Sequence, residues 1–229
     1  MKSDRFINAQ RALHADMLAA LSEARAEIVY DSATALVLRE KNCGVYFLTA
    51  KESAEAETLL RQLYEKDATV VLHGELLPDL AAKIGFEIDP PCRQVMYEGT
   101  PLPVEGELVL RHPDSADFET VAQNYSLTGG DELRRGFDKP EFLGGYLGDR
   151  LVCFCGLHCE GSMGLLTVLP DCRRRGFAQQ IYSQLINDQL AKGRIPYAQV
   201  YADNENSLRL QKKLGFTFSE EFIRWSWRP

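Results

Sequence analysis

The feature that most constrains this chain is the stretch GSMGLLTVLPDCRRRGFAQQIYSQLINDQL, Gly161 to Leu190, which joins an apolar strand to an amphipathic helix through a short Arg- and Gly-rich loop. Leu165, Leu166, Val168 and Leu169 read as a buried strand end, and Pro170, lacking an N–H, cuts the pairing to a neighbouring strand there. The strand is expected to splay from its neighbour. Phe177, Ile181, Leu185, Ile186 and Leu190 recur at helical spacing, which predicts a helix starting near Arg174 or Arg175. Its first amides have no partner inside the helix and sit at the positive end of the dipole, so they suit a phosphate. Gly176 lets an oxyanion approach the backbone, Ala178 keeps the next turn slim, and Arg173, Arg174 and Arg175 add charge and forked donors. Read blandly, the same triplet is a solvated basic corner.

Arg173-x-x-Gly176-x-Ala178 behind a strand ending Val168-x-Pro170 resembles the acetyl-CoA loop of the GNAT acyltransferase superfamily. A short strand from Ala198 to Tyr201, then Asn204-x-x-Ser207, then Lys213-Leu214-Gly215-Phe216 and a closing aromatic strand follow in the order of that family. The resemblance covers roughly Glu107 to Arg228. It implies an α/β (α+β) fold with a mixed central sheet flanked by helices, and acetyl-CoA as co-substrate held by Leu166, Thr167, Val168, Arg173, Arg174, Arg175, Gly176, Phe177, Ala178, Asn204 and Ser207. Asn204 reads equally well as a helix N-cap.

The resemblance also implies an N-acetyltransferase that passes an acetyl or longer acyl group to a primary amine by direct attack in a ternary complex. The Val168 N–H then faces the thioester oxygen and stabilises the charge that develops there. Glu160 or His158 is expected to take the proton from the amine, directly or through water. The family often places a Tyr four residues before the Gly of Gly215-Phe216, and this chain has Gln211, which can donate a hydrogen bond but not a proton. Tyr201, Tyr182, Ser207 or solvent remain to protonate the leaving thiolate. Because of Gln211, a non-catalytic CoA- or acyl-CoA-binding sensor or scaffold stands beside the enzyme as a second reading.

The first half of the chain repeats the second. Val70 falls on Val200, Leu80 on Leu210, Lys83-Ile84-Gly85-Phe86 on Lys213-Leu214-Gly215-Phe216 and Tyr97 on Trp227, all at an offset of 130. Upstream the offset shortens to about 120, bringing Leu48 onto Val168, so the piece missing from the first copy is the Arg/Gly loop itself. Residues 1–104 thus read as a degenerate lobe without a cofactor loop and residues 105–229 as the acyltransferase domain, with the break at Gly99-Thr-Pro-Leu-Pro103. Two-lobed members similar to glycine N-acyltransferase make an amino-acid acceptor one candidate among small-molecule and peptide amines. A partner-binding or dimerising role for the first lobe is a third possibility, and the chain is expected as a monomer or homodimer.

Composition excludes other classes. The net charge is −7, split as −5 over residues 1–104 and −2 over residues 105–229, which argues against a nucleic-acid partner and leaves the Arg triplet a local positive island. No run of 18 apolar residues exists and the first residues are charged, so no membrane span or signal peptide is expected and the location is read as cytoplasmic. Six cysteines lack a paired framework and fit thiols. Cys153, Cys155 and Cys159 are expected on one strand face as small hydrophobes, with no metal site. Other expectations are one helix from Ser3 to about Leu21, and irregular chain from Ser126 to Lys139 that, in the family, lines the acceptor pocket.

Overall fold

A computed structural model describes residues 1–127 and 129–229; Thr128, inside the segment expected to be irregular, lies outside them. The first half runs α1 (Asp4–Ala9), α2 (Ala15–Ser22), β1 (Ala26–Asp31), β2 (Ala35–Glu40), β3 (Tyr46–Ala50), α3 (Ser53–Glu65), β4 (Val70–His73), α4 (Leu76–Ile84), β5 (Glu87–Ile88) and β6 (Cys92–Met96). The second runs β7 (Val109–Arg111), α5 (Phe118–Asn124), α6 (Gly130–Phe137), β8 (Leu143–Leu147), β9 (Arg150–Leu157), β10 (Met163–Val168), α7 (Phe177–Ala191), β11 (Tyr197–Tyr201), α8 (Glu205–Leu214) and β12 (Thr217–Trp227). Both halves share the order of two helices, an antiparallel meander, and then helix, strand, helix, strand. α4 and α8 also end alike: Gly85 (φ +117°) and Gly215 (φ +87°) take left-handed conformations that β-carbon-bearing residues resist, and the Phe86 and Phe216 N–H groups bond back to Ala81 and Gln211.

The strands make a mixed α/β layer flanked by helices. One sheet has the order β1-β2-β3-β4-β12-β6-β11, with β5 attached to β12, and the other has the order β10-β9-β8-β7. β3 and β4 are parallel, with Leu48 opposite Leu72; β12 then lies antiparallel to β4 (Ile223 opposite His73) and to β6 (Ile223 opposite Cys92). β6 in turn pairs with β11, Gln94 opposite Gln199. β12, the closing strand of the second half, therefore sits beside β4 of the first, β6 of the first half sits beside β11 of the second, and residues 217–227 are built into the sheet between β4 and β6.

Alternation along the strands sorts side chains to the two faces. Val95, Ala198 and Val200 join Ile181, Leu185 and Leu214 under α7 and α8. On the opposite face Cys92, Tyr201 and Trp225 pack with Phe6, Leu13 and Met17 of the N-terminal helices. Leu72, Leu59 and Leu60 form a third cluster beneath α3 and α4.

Four local expectations are corrected. The single N-terminal helix is two, because its hydrogen-bond ladder is diverted: the Leu13 carbonyl accepts from Gln94 Nε2 (2.7 Å), and the Met17 N–H donates to Asp16 Oδ1 (2.7 Å). Ser126 to Lys139 is not all irregular, since α6 buries Leu133 and Phe137 one turn apart and pairs Arg134 with Asp138 at 2.9 Å. The long helix begins at Phe177, not Arg174 or Arg175, because Arg174 (φ +63°) and Gly176 (φ +85°) hold the loop in left-handed turns. Cys153 and Cys155 are buried in β9, but Cys159 lies beyond its end, in the turn before β10. Among the described residues no helix is long and apolar enough to cross a membrane, and no group of three His, Cys, Asp or Glu side chains is arranged to hold a metal ion.

Candidate active site

β10 is the edge of its sheet and β11 the edge of the other, so the layer is open between them. The opening is shaped in β10 itself. Gly164 pairs with Gly156 and Thr167 with Phe154, so Leu165 and Leu166 together oppose the single residue Cys155. Leu165 takes φ +54° to make this bulge, a conformation that costs a β-carbon-bearing residue about 1 kcal/mol or more. Past the bulge, the Leu169 N–H donates to the Val152 carbonyl (2.9 Å), so by antiparallel alternation the N–H and C=O of Val168 point away from β9, into the opening. Arg173 Nε donates to the Val168 carbonyl at 3.1 Å, leaving the Val168 N–H directed at the opening.

A cavity of about 520 Å³ occupies this opening. Because Ala198 and Val200 line it from the α7/α8 face while Gln199 and Tyr201 line it from the other, the cavity passes through the sheet. Of the expected cofactor residues, Leu166, Val168, Ala178, Asn204 and Ser207 are in its wall. Arg175, Gly176 and Phe177 instead border an adjoining depression with Glu105 and Glu107. Thr167 is committed to β9, and Arg173 and Arg174 are exposed on the loop.

The start of α7 is open. No side chain caps its amides, and a β-carbon placed on Gly176 would meet nothing within 4 Å. Arg175 reaches Glu107 at 2.7 Å and lies 4.7 Å above the Phe177 ring, an exposed pairing worth little against solvent. Asn204 is a helix cap: its Oδ1 accepts the Ser207 N–H of α8 at 3.1 Å. Gln211 is buried in the cavity wall, where its Nε2 donates to Tyr182 Oη (3.2 Å) and its Oε1 has no partner among the described residues. Tyr182 Oη donates onward to the Met163 carbonyl at 3.2 Å, and burial raises its phenol well above the ordinary range.

Of the candidate proton carriers, Glu160 and His158 line the cavity together, in the turn between β9 and β10. Glu160 is 3% exposed, far from the solvated state usual for a Glu in a turn. Its carboxylate accepts from Ser162 Oγ, while its carbonyl is fixed by Arg25 Nη1 (2.9 Å) and Tyr197 Oη (2.8 Å). His158 is half-buried, and its ring lies against Gly164. Tyr201 lies on the far face from α7 and α8 and donates to Asp89 Oδ2 at 3.2 Å; burial, then the Asp89 charge, pushes its phenol up to about 12. Tyr125, Leu127 and Glu132, from the segment expected near an acceptor, also line the cavity.

Residues singled out by neither motif nor spacing complete the wall. Asp89 and Cys92 come from the first half. Trp225 donates its Nε1–H to Gln199 Oε1 (2.7 Å), and Gln199 Nε2 is held by Gln94 Oε1 (3.0 Å) in a buried network that continues to Asp16 and His73. The offset of 130 brought the halves into register but carried no sign that residues of the first half reach this cavity.

Comparisons with known proteins bear on the fold and the family resemblance. Residues 148–225 match the family described as FR47-like protein. A curated mycothiol acetyltransferase from Acidimicrobium ferrooxidans is 27% identical over 222 residues, covering 79% of this chain and 67% of its own length. Among solved structures, a GCN5-related N-acetyltransferase from Kribbella flavida superposes with a TM-score of 0.63 at 12% identity, covering 96% of this chain and 95% of that one. An acetyltransferase-like protein of the GNAT family from Novosphingobium aromaticivorans superposes at 0.57 with 19% identity, covering 95% and 96%.

Proposed function

We propose that this chain is a member of the GNAT superfamily and an acyl-CoA-dependent N-acetyltransferase, moving an acetyl group from acetyl-CoA to a primary amine by direct attack in a ternary complex. The observation that carries the reading is the splay of β10 from β11 with the Val168 N–H directed into it, beside an uncapped helix start. In this reading the pyrophosphate lies at the amides of Gly176, Phe177 and Ala178, with Arg173 and Arg174 nearby, and the pantetheine arm follows the free edge of β10 at Leu166 and Val168. Gly176 suits this because it is open to an approaching oxyanion and its φ excludes most other residues. The Val168 N–H then stabilises the negative charge growing on the thioester oxygen, without reorganising during the step.

Glu160 is the base, directly or through His158 and water. It is buried next to the point where the amine would attack, and its backbone is fixed from two sides by Arg25 and Tyr197. Gln211 stands where a phenol would protonate the thiolate, and it is hydrogen-bonded to Tyr182, so the thiolate leaves with a hydrogen bond from this pair or a proton from solvent. That substitution favours a second reading, a CoA-binding protein without turnover. We further propose that residues 1–104 are a degenerate copy of 105–229 that has lost the cofactor loop and serves as one wall of the acceptor side. Thiol release from acetyl-CoA across a panel of primary amines tests the enzyme. Turnover that Glu160→Gln cuts by about 100-fold or more supports it. Tight binding of acetyl-CoA with no release for any amine selects the second reading.

A further inference from the structure

The cavity has one unlike half. On the face away from α7 and α8 its wall carries the carboxylates of Asp89, Glu132 and Glu160, from three separate elements, together with the rings of Tyr125, Tyr201 and Trp225. Among the described residues no Lys or Arg lines the cavity. None of the three carboxylates belongs to an ion pair among the described residues; Arg25 gives its donors to the Glu160 carbonyl and to Glu23 and Glu40, and the Lys139 ammonium goes to the His158 carbonyl. Elsewhere the chain compensates its buried charge with care, as at Asp16, which collects His73, Gln94 and its neighbour's N–H. The same cavity also contains the orphan Gln211 Oε1, a buried acceptor waiting for a donor. A wall with acceptors and negative charge but no matching cation is complementary to a ligand that brings both.

We propose that the acceptor is a cationic amine without a carboxylate, a diamine or arylalkylamine, and not an amino acid. This rests on the acyltransferase reading and narrows it. Asp89 and Glu132 attract the ammonium form of the acceptor as it enters and, in a diamine, hold the second ammonium that does not react; the three rings supply apolar walls and π faces that tolerate a cation, and Glu160 takes the proton from the nitrogen that attacks, freeing its lone pair. An α-carboxylate on the acceptor would enter a space where every fixed charge repels it and no guanidinium receives it. The proposal also gives the first half of the chain a part in specificity, since Asp89 belongs to it and Trp225 is oriented through Gln199 by Gln94 and Asp16.

The test uses the full chain and matched pairs that differ only in the carboxylate: cadaverine and lysine, agmatine and arginine, tryptamine and tryptophan. Two readouts are taken, kcat/KM from thiol release with acetyl-CoA, and calorimetric binding of each amine to protein saturated with CoA. The decarboxylated member of each pair is expected to exceed its amino acid by at least about tenfold, the ratio for one charge placed beside like charges in a partly screened cavity. The Asp89→Asn, Glu132→Gln double variant should bring that ratio toward one while its circular dichroism and its affinity for CoA stay those of the parent. The diamine and arylalkylamine arms tell which class the cavity takes. Equal or greater activity with the amino acids overturns the proposal and leaves the acyltransferase standing. Amine-selective binding without turnover overturns the acyltransferase reading and, with it, the acceptor role proposed here. Failure of every amine to bind or react overturns the proposal.

Discussion

At the scale of single residues, two positions carry consequences out of proportion to their size. Gly176 is open on its side-chain face and holds a positive φ, so Gly176→Glu places both a β-carbon and a negative charge where the phosphates are proposed to lie. Acetyl-CoA affinity should fall by at least about 100-fold in calorimetry, with an unfolding midpoint lowered only by the roughly 1–2 kcal/mol of a strained left-handed residue. Unchanged affinity would move the phosphates elsewhere. His14 is the second position. Its Nδ1–H faces the Gln10 carbonyl (3.1 Å), its Nε2 faces the Thr49 hydroxyl (3.0 Å), and burial, then the neighbouring His73, lowers its pKa to about 4. Between the unfolded value near 6.5 and the folded value near 4 the unfolded chain binds the extra proton, so stability is present above pH 6.5 and is lost as pH falls through that window. Chemical denaturation at pH 7 and pH 4.5 should show the loss, of order 2–3 kcal/mol from this group, and His14→Phe should remove most of that dependence. Gly176 stands out in the sequence because a Gly behind an Arg run at a helix start is a readable pattern. No such pattern marks Glu160 as buried, since burial there depends on Arg25 and Tyr197, which reach its carbonyl from distant parts of the chain.

At the scale of elements, β10 holds the proposed chemistry, because among the described residues no strand is hydrogen-bonded to the backbone groups of its outer edge. The apolar run and Pro170 made the strand and its early end legible. The bulge at Leu165 and Leu166 was not, because a bulge is a mismatch of register between two strands and leaves no mark in the periodicity of one. Its effect is to set which amides face outward beyond it. Val168→Pro deletes a single N–H at an edge position that donates to no neighbouring strand, so the fold should tolerate it. The account expects kcat to drop by about 100-fold, in line with loss of one oxyanion donor, while acetyl-CoA still binds. An undiminished kcat would assign the donor to another group. α6 was hidden from sequence reading for a different reason: Gly129, Gly130 and the dense charge of Asp131 to Arg135 masked a helix whose inward face is only Leu133 and Phe137.

At the scale of the whole molecule, the repeat read at an offset of 130 carries no information on how the halves join, and the pairing of β12 with β4 and β6 could not be read from it. Two copies of one pattern present equivalent edges, and which copy's last strand fills which edge is settled by packing. The exchange makes each half depend on the other for its sheet, so thermal unfolding should be one transition, with the fluorescence of Trp225 and Trp227 in β12 and far-UV circular dichroism coinciding. Two separated transitions would show that the halves are held independently. The same exchange places Asp89 and Cys92 beside Tyr201, so a cavity whose proposed cofactor side comes from residues 105–229 has a proposed acceptor side partly from residues 1–104. All of this depends on an acyl-CoA lying in the opening between β10 and β11, and calorimetric titration of the folded full chain with acetyl-CoA tests it most directly. The account predicts saturable one-to-one binding in the micromolar range that weakens as salt screens the Arg loop; a folded protein that gives no binding heat across several temperatures contradicts it.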